Sequence, residues 1–224
     1  MHYYIDGQRM RGQCMFKIAQ NKVMIQIGTN NGADEFNGIV KYSNPSKVIL
    51  VEPNKKLNGQ ILKNYEGIRN FYLENVAITE VNKGKVTLVI PTIKRDKSGK
   101  NVNYIDVHYS LLPMDDWGDS FDEMEVLSMT FSELCEKHNV INIHYLQIDT
   151  EGYDAEIIKS IDFKHINIDI IKYEDWSFPV SSFSRYGDKA KYYGVNGMTD
   201  VAYLLKNLGY SLTEENKDFI AVKE

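Results

Sequence analysis

The stretch Val23-Met24-Ile25-Gln26-Ile27-Gly28-Thr29-Asn30-Asn31-Gly32-Ala33-Asp34 decides how this chain folds. An apolar run stops at a loop with glycines four apart, and a helical pattern follows. A strand that ends in a glycine loop and feeds a helix brings backbone amides close to a ligand, because glycine has no Cβ to hold the ligand away. A second apolar run, Val48-Ile49-Leu50-Val51, ends on Glu52-Pro53. A carboxylate at the tip of the next strand, about 20 residues further on, is where a doubly wound sheet binds ribose hydroxyls. The two pieces in this order imply a nucleoside-containing cofactor.

The glycine spacing separates two cofactors. The dinucleotide fingerprint wants G-x-G-x-x-G, whose middle glycine lets backbone approach a pyrophosphate. Here Gly28 and Gly32 flank Thr29-Asn30-Asn31, so the middle glycine is missing and polar side chains fill the loop. A ligand without phosphates fits better, and S-adenosylmethionine is one: adenosine at one end, an amino acid at the other, a sulfonium between. Taken alone, G-x-x-x-G is also an ordinary strand-to-helix turn; Glu52 adds the weight.

At 224 residues, 43% apolar and 25% charged, the chain suits one generous globular domain and not a disordered segment. Its net charge of -5 and the lack of a basic stripe argue against a nucleic-acid partner. Cys14 and Cys135 are too few for a disulfide framework and form no C-x-x-C pair. The nearest histidines, His138 and His144, do not suggest a metal site, so none is expected. The opening Met-His-Tyr-Tyr-Ile-Asp-Gly has no apolar signal core, and no run approaches membrane-spanning length. A reduced, cytoplasmic enzyme is expected; the oligomeric state stays open.

Strand and helix patterns alternate. Residues 8–20 read as a helix, with Met10, Cys14 and Ile18 at i, i+4, i+8, so that 1–22 form a helical lead-in and 23–224 a single domain. Strands are expected at Val23–Ile27, 48–52 and 70–76, separated by helices with Phe36, Ile39 and Val40, then Leu57, Ile61, Leu62 and Tyr65, facing inward. Such alternation implies a parallel sheet with right-handed crossovers. Residues 80–125 interrupt it: a strand at 86–91, a polar turn at 94–101 and an acidic stretch at 114–123 read as an insertion or elaborated crossover. Regularity returns at 126–129, followed by the capping box Thr130-Phe131-Ser132-Glu133. A strand at 145–148 leads into Asp149-Thr150-Glu151-Gly152 and a helix with Tyr153, Ile157 and Ile161 inward. A strand at 169–173, a helix at 199–208 closed by Gly209, and runs at 210–213 and 219–222 complete the pattern. The fold class is therefore α/β: a doubly wound, mostly parallel sheet ending in an antiparallel hairpin.

These residues carry a resemblance. Ile27-Gly28-Thr29-Asn30-Asn31-Gly32, then Val51-Glu52-Pro53-Asn54, then Asn75-Val76-Ala77-Ile78, then Leu146-Gln147-Ile148-Asp149-Thr150-Glu151-Gly152-Tyr153-Asp154 together resemble the FkbM family of S-adenosylmethionine-dependent methyltransferases. The most specific piece is Ile148 to Asp154, similar to the family's I-D-x-E-G-x-E signature. Tyr109-Ser110-Leu111 resembles its serine-leucine element, and 204–210 its L-x-x-x-G-Y ending. One position departs: the family's first strand commonly carries an acid two residues before the first glycine, and here Gln26 stands there. An amide oxygen can hold the cofactor's ammonium without charge assistance, so cofactor binding is weaker or another acid substitutes. The resemblance implies O-methyl transfer to a hydroxyl of a sugar or other natural product.

The chemistry assigns roles. An in-line displacement needs alignment of acceptor oxygen, methyl and sulfur, and a hydroxyl acceptor gains from a base. Asp149, at a strand's carboxyl end, is the first candidate for base or acceptor-orienting group; a helix cap or a purely cofactor-contacting side chain are its other readings. Glu52 is expected to bind both ribose hydroxyls, with Gly28 and Gly32 making the loop and Gln26 and Asn30 at the amino-acid end. Asn75 and Val76 would border the adenine. Tyr109 and Ser110, with His108, would line the mouth, and Glu174 and Trp176 would meet the acceptor. The aromatic group Trp176, Phe178, Phe183, Tyr186, Tyr192 and Tyr193 suits the apolar face of a sugar or merely covers the sheet edge. An NAD or nucleotide-sugar-dependent enzyme and a non-catalytic cofactor-binding protein are the alternatives.

Overall fold

In the computed structural model the order of strands shows how the chain builds its crevice. It describes residues 3–5, 8–10, 22–95, 101–102, 109–111, 120–174, 194–215 and 218–224. The central sheet contains β3 (Val23–Ile27), β4 (Lys47–Val51), β5 (Phe71–Glu74), β10 (Asn142–Ile148), β11 (Asn167–Glu174), β12 (Tyr210–Glu215) and β13 (Asp218–Lys223). Their spatial order is β12-β13-β11-β10-β3-β4-β5. Strands β11, β10, β3, β4 and β5 run parallel, and β13 runs antiparallel to both β11 and β12. The chain order reverses direction between β3 and β10. Open α/β sheets bind ligands outside the carboxyl ends at such a point.

Helices cover both faces, as the continuous apolar strands require. On one face, Met24, Val48 and Leu50 pack with Phe36 and Val40 of α1 (Glu35–Ser43) and with Ile61 of α2 (Asn58–Asn64). On the other face, Ile25, Ile49, Leu146 and Ile171 pack with α3 (Phe131–Lys137), α4 (Asp154–Ser160) and α5 (Gly194–Asn207) through Phe131, Ile157, Val201 and Leu205. The capping box at α3 forms in full: Glu133 N–H donates to Thr130 Oγ1 at 3.1 Å, and Thr130 N–H donates to Glu133 Oε2 at 2.8 Å.

The interruption at 80–125 is a second sheet, not a loop. It holds β6 (Ala77–Ile78), β7 (Lys85–Arg95), β8 (Asn101–Val102) and β9 (Ser120–Met129) in the order β6-β9-β7-β8. Residues 94–95 extend β7 and 120–123 begin β9, where a polar turn and an acidic stretch were expected. Cross-strand pairing overrides their polar composition, because an antiparallel ribbon tolerates one solvated face. Ala77, Leu88 and Val126 form a small core beneath this sheet, and Tyr109 and Leu111 pack against it. Ser110 exchanges backbone hydrogen bonds with Val89, at 2.9 and 3.2 Å, which fixes the 109–111 segment beside the strand ends.

At the amino end, β1 (Tyr3–Ile5) and β2 (Gln8–Met10) pair antiparallel, so the helix expected from residue 8 does not begin there. The four-residue period of Met10, Cys14 and Ile18 is outweighed locally by the β-favouring Tyr3-Tyr4-Ile5. The rest of that expected helix, 11–21, lies outside the described residues.

Candidate active site

The glycine loop is held by its neighbours before any ligand is considered. Gly28 and Thr29 N–H both donate to Val51 O, at 3.0 and 3.2 Å, and Asp149 N–H donates to Ile27 O at 2.9 Å. The ends of β3, β4 and β10 are thereby tied side by side. Gly28 sits at φ +82°, and a Cβ there would lie 1.7 Å from the Asp149 carbonyl oxygen. Only glycine lets the two strand ends approach so closely. Asn30, at φ +52°, completes the turn and points its N–H at Glu52 Oε2, 2.8 Å away.

Glu52 is fully buried. Its Oε1 accepts from Asn54 N–H at 2.7 Å and from the Tyr109 hydroxyl at 2.5 Å. Burial pushes its carboxyl up from 4.5 to about 7, against the opposing effect of the Tyr109, Asn54 and Asn30 donors. Behind it, Asn75 Nδ2 donates to Glu52 O at 2.8 Å and to Asn58 Oδ1 at 2.9 Å, so the strand tip is braced from the next strand.

The signature loop is organised by Asp154, a buried carboxylate. Its Oδ1 accepts from Thr150 N–H at 2.9 Å and from the Thr150 hydroxyl, and its Oδ2 accepts from Glu174 N–H at 3.1 Å. One side chain thus joins the ends of β10 and β11. Burial raises its carboxyl to about 6 although these donors oppose the shift. Glu151 adopts φ +55°, and its carbonyl accepts from Ser110 Oγ at 2.9 Å. The Asp149 carboxyl is raised from 3.8 to about 9; loss of hydration is the largest cause, and the charges of Asp154, Glu151, Glu174 and Asp218 add to it. Its side chain is nonetheless exposed at the mouth, so water offsets part of that desolvation, and the upward direction rests on the crowd of carboxylates.

Two cavities meet at Gly28, Asn30 and Asp149. One, of about 600 Å³ with its mouth, is mostly apolar; Val51, Pro53, Val76, Ile78, Leu88 and Tyr109 surround Glu52. The other, of about 760 Å³ with its mouth, carries more polar side chains, with Thr29, Asn31, Asp34 and Gln60 lining it beside Leu57. Thr29 Oγ1 is buried without a hydrogen-bond partner.

The structure brings together Gly28, Asn30, Glu52, Val76, Tyr109, Ser110 and Asp149 around the first cavity. It places other expected residues differently. Gln26 is fully buried and lines neither cavity; its amide donates to Asp34 Oδ2. Asn75 borders a neighbouring groove and is engaged with Glu52 O and Asn58. Gly32 packs at φ +72° against Tyr65. Tyr109 and Ser110, expected at the mouth, line the first cavity and in addition bond to Glu52 and to the Glu151 carbonyl. Glu174 lines neither cavity, and its N–H goes to Asp154. Trp176, with His108 and the aromatic group after it, lies outside the described residues. Sequence reasoning did not single out Asp34 or Asp154 as site residues; Asp34 opening a helix and Asp154 closing the signature were the available signals.

An adenosine with a charged amino-acid tail fits this donor set. A buried carboxylate stands in an apolar cavity, a second cavity with more polar side chains opens across a glycine loop, and Thr29 in its wall carries a buried, unsatisfied hydroxyl. Sheet order and site together define a mostly parallel α/β protein with a nucleoside-type crevice where the strand order reverses. The methyltransferase FkbM domain matches residues 26–212, and the chain belongs to that S-adenosylmethionine-dependent family. It is a methyltransferase, and an NAD-dependent or non-catalytic reading is set aside.

Among curated proteins none matches this sequence. Distant structural likenesses include precorrin-6y C5,15-methyltransferase of Geobacter metallireducens, 12% identical, covering 94% of this chain and 84% of that one at a TM-score of 0.46. The fibrillarin pre-rRNA processing protein of Methanococcus jannaschii is 11% identical, with coverage of 100% and 82% and a TM-score of 0.45. Fibrillarin of Aeropyrum pernix, solved with natively bound S-adenosyl-L-methionine, is 9% identical, with coverage of 92% and 68% and a TM-score of 0.45. Among the described residues no helix is long and apolar enough to cross a membrane.

Proposed function

We propose that this methyltransferase transfers the methyl group to a hydroxyl of a sugar or other small acceptor, with Glu52 holding the ribose and Asp149 serving the acceptor oxygen. The observation that carries the proposal is the placing of Asp149 where the two cavities meet. When bound, the cofactor supplies a methyl carbon already activated by a sulfonium. What remains for the protein is alignment and the removal of one proton. Asp149 can accept the proton that the acceptor hydroxyl loses as its oxygen bonds to carbon. A carboxyl held above its ordinary pKa is a stronger base than a solvated one, which suits it to a hydroxyl. The apolar cavity would hold the adenosine with Val76 at its edge, and Gly28 to Gly32 would carry the amino-acid end.

A small acceptor is favoured over a nucleic acid by the charge at the strand ends, where Asp34, Asp149, Glu151 and Glu174 stand, and by the net charge of -5. The test has two stages. Calorimetric titration with S-adenosylhomocysteine should give a dissociation constant in the micromolar range, with no heat from NAD. Label from methyl-labelled S-adenosylmethionine should then pass to hydroxylated acceptors, sugars first. Label recovered only on RNA, or only on nitrogen, would overturn the acceptor assignment.

A further inference from the structure

We infer that Asp34 is the carboxylate that binds the ammonium of the cofactor's amino-acid end, held in position by the buried amide of Gln26. The inference rests on the S-adenosylmethionine reading and goes beyond it. The first strand lacks the acid that the family resemblance implies at position 26. Gln26 stands behind the cavities rather than in them: its side chain is wholly buried, its Oε1 has no hydrogen-bond partner, and it lines neither cavity. What it does reach is Asp34: Gln26 Nε2 donates to Asp34 Oδ2, while Asp34 Oδ1 accepts Asn37 N–H at 3.2 Å to cap α1.

Asp34 itself is exposed, and it lines the second cavity, on the side of the glycine loop away from Glu52. Among the described residues no lysine, arginine or histidine pairs with it. The same cavity is lined by Thr29, a residue only 2% accessible, whose hydroxyl is buried and makes no hydrogen bond. A buried hydroxyl without a partner, beside an unpaired carboxylate, marks a place for a ligand with charged donors. A ribose fixed at Glu52 leaves the amino-acid end of the cofactor to cross Gly28 and Asn30 into this cavity. The charge is thus moved from the strand to the helix cap, and an amide takes the acid's old place as its brace.

A helix cap is the competing role for Asp34, and Asp34→Asn separates the two. Asparagine caps a helix as well as aspartate does, so the substitution keeps the cap and removes the charge. The probes are S-adenosylhomocysteine and 5′-methylthioadenosine, which has the adenosine but no amino-acid end. Asp34→Asn should weaken S-adenosylhomocysteine about tenfold or more, the size of a charge-assisted hydrogen bond, and leave 5′-methylthioadenosine within about twofold. Gln26→Met, close in volume but unable to donate, should weaken S-adenosylhomocysteine alone, by a smaller factor. Equal weakening of both compounds, or of neither, overturns the inference. Wild-type protein that binds neither compound overturns the cofactor reading and the inference with it, whereas wild-type binding of both with an unaffected Asp34→Asn variant overturns the inference alone.

Discussion

The hydroxyl of Tyr109 donates to Glu52 Oε1 at 2.5 Å, across 57 positions of sequence. With Asn54 N–H on the same oxygen and Asn30 N–H on Oε2, three donors already occupy the carboxylate. A carboxylate has about four acceptor sites, so two ribose hydroxyls cannot both be received while Tyr109 stays. If Glu52 receives both ribose hydroxyls, as proposed, the phenol occupies a place that one of them must take.

Tyr109→Phe should therefore have two opposed effects. The variant keeps the ring against the small core and loses a hydrogen bond to a charged group, about 1.5–3 kcal/mol, so the ligand-free protein should melt lower. The same bond no longer has to be broken on binding, so S-adenosylhomocysteine should bind several-fold more tightly. Calorimetry and thermal melting read both. Weaker binding by the variant would mean that Tyr109 remains in place and itself contacts the ribose.

Much of this was legible in the sequence because the relevant signals are local. Strand β3 falls on the expected residues, and the strand tips at Gly28, Glu52 and Asp149 follow from apolar runs that end on residues of special chemistry. The capping box at Thr130 is a four-residue motif and forms as read. What the sequence hid depends on contacts between distant residues. No pattern links Tyr109 to Glu52, Ser110 to Glu151, or Gln26 to Asp34, since each bond depends on how the second sheet or a loop docks. The second sheet itself was hidden because β7 and β9 pair across a long, polar interval that reads as loop.

Gly28→Ala tests the close approach of β3 and β10. The new Cβ would lie 1.7 Å from a backbone oxygen, and φ +82° is a conformation that alanine rarely adopts. Neither can be relieved by a side-chain rotation, so a loss of at least about 2 kcal/mol is expected. Gly32→Ala meets only the edge of the Tyr65 ring, at 3.0 Å, and should cost less. Urea denaturation of the two variants ranks them; equal losses would show that the strand-end contact is soft.

The buried Glu52 makes stability depend on pH. Its folded pKa, about 7, is above the ordinary 4.5, so between these values the folded protein holds a proton that the unfolded chain has released. Stability from this group is complete below about 4.5 and is lost as pH rises through about 7, by about 3 kcal/mol at most. Asp154, raised to about 6, acts in the same direction. The melting temperature should therefore fall between pH 5 and pH 8, and the fall should be smaller, though not absent, in Glu52→Gln. An identical slope in the variant would remove Glu52 as its source.

Asp149→Asn isolates the proton-accepting role. The amide keeps the size of the side chain and cannot take a proton, so kcat should drop by about 10²–10⁴ if Asp149 is the base. Affinity for S-adenosylhomocysteine should change far less, because in the proposed arrangement Glu52 and the glycine loop, not Asp149, hold the cofactor. The pH profile supplies the sign. A carboxyl raised above 3.8 toward 9 is protonated, and idle as a base, below its pKa. The wild-type kcat/KM should accordingly climb with pH across the neutral range, with a midpoint no higher than about 9 and shifted to lower pH as far as solvent at the mouth relieves the desolvation. In Asp149→Asn the residual rate should be flat over the same range. A variant that retains both the climb and the rate would leave Asp149 as an orienting or cofactor-contacting group and send the search for the base to Glu151, the other carboxylate lining the apolar cavity beyond Glu52.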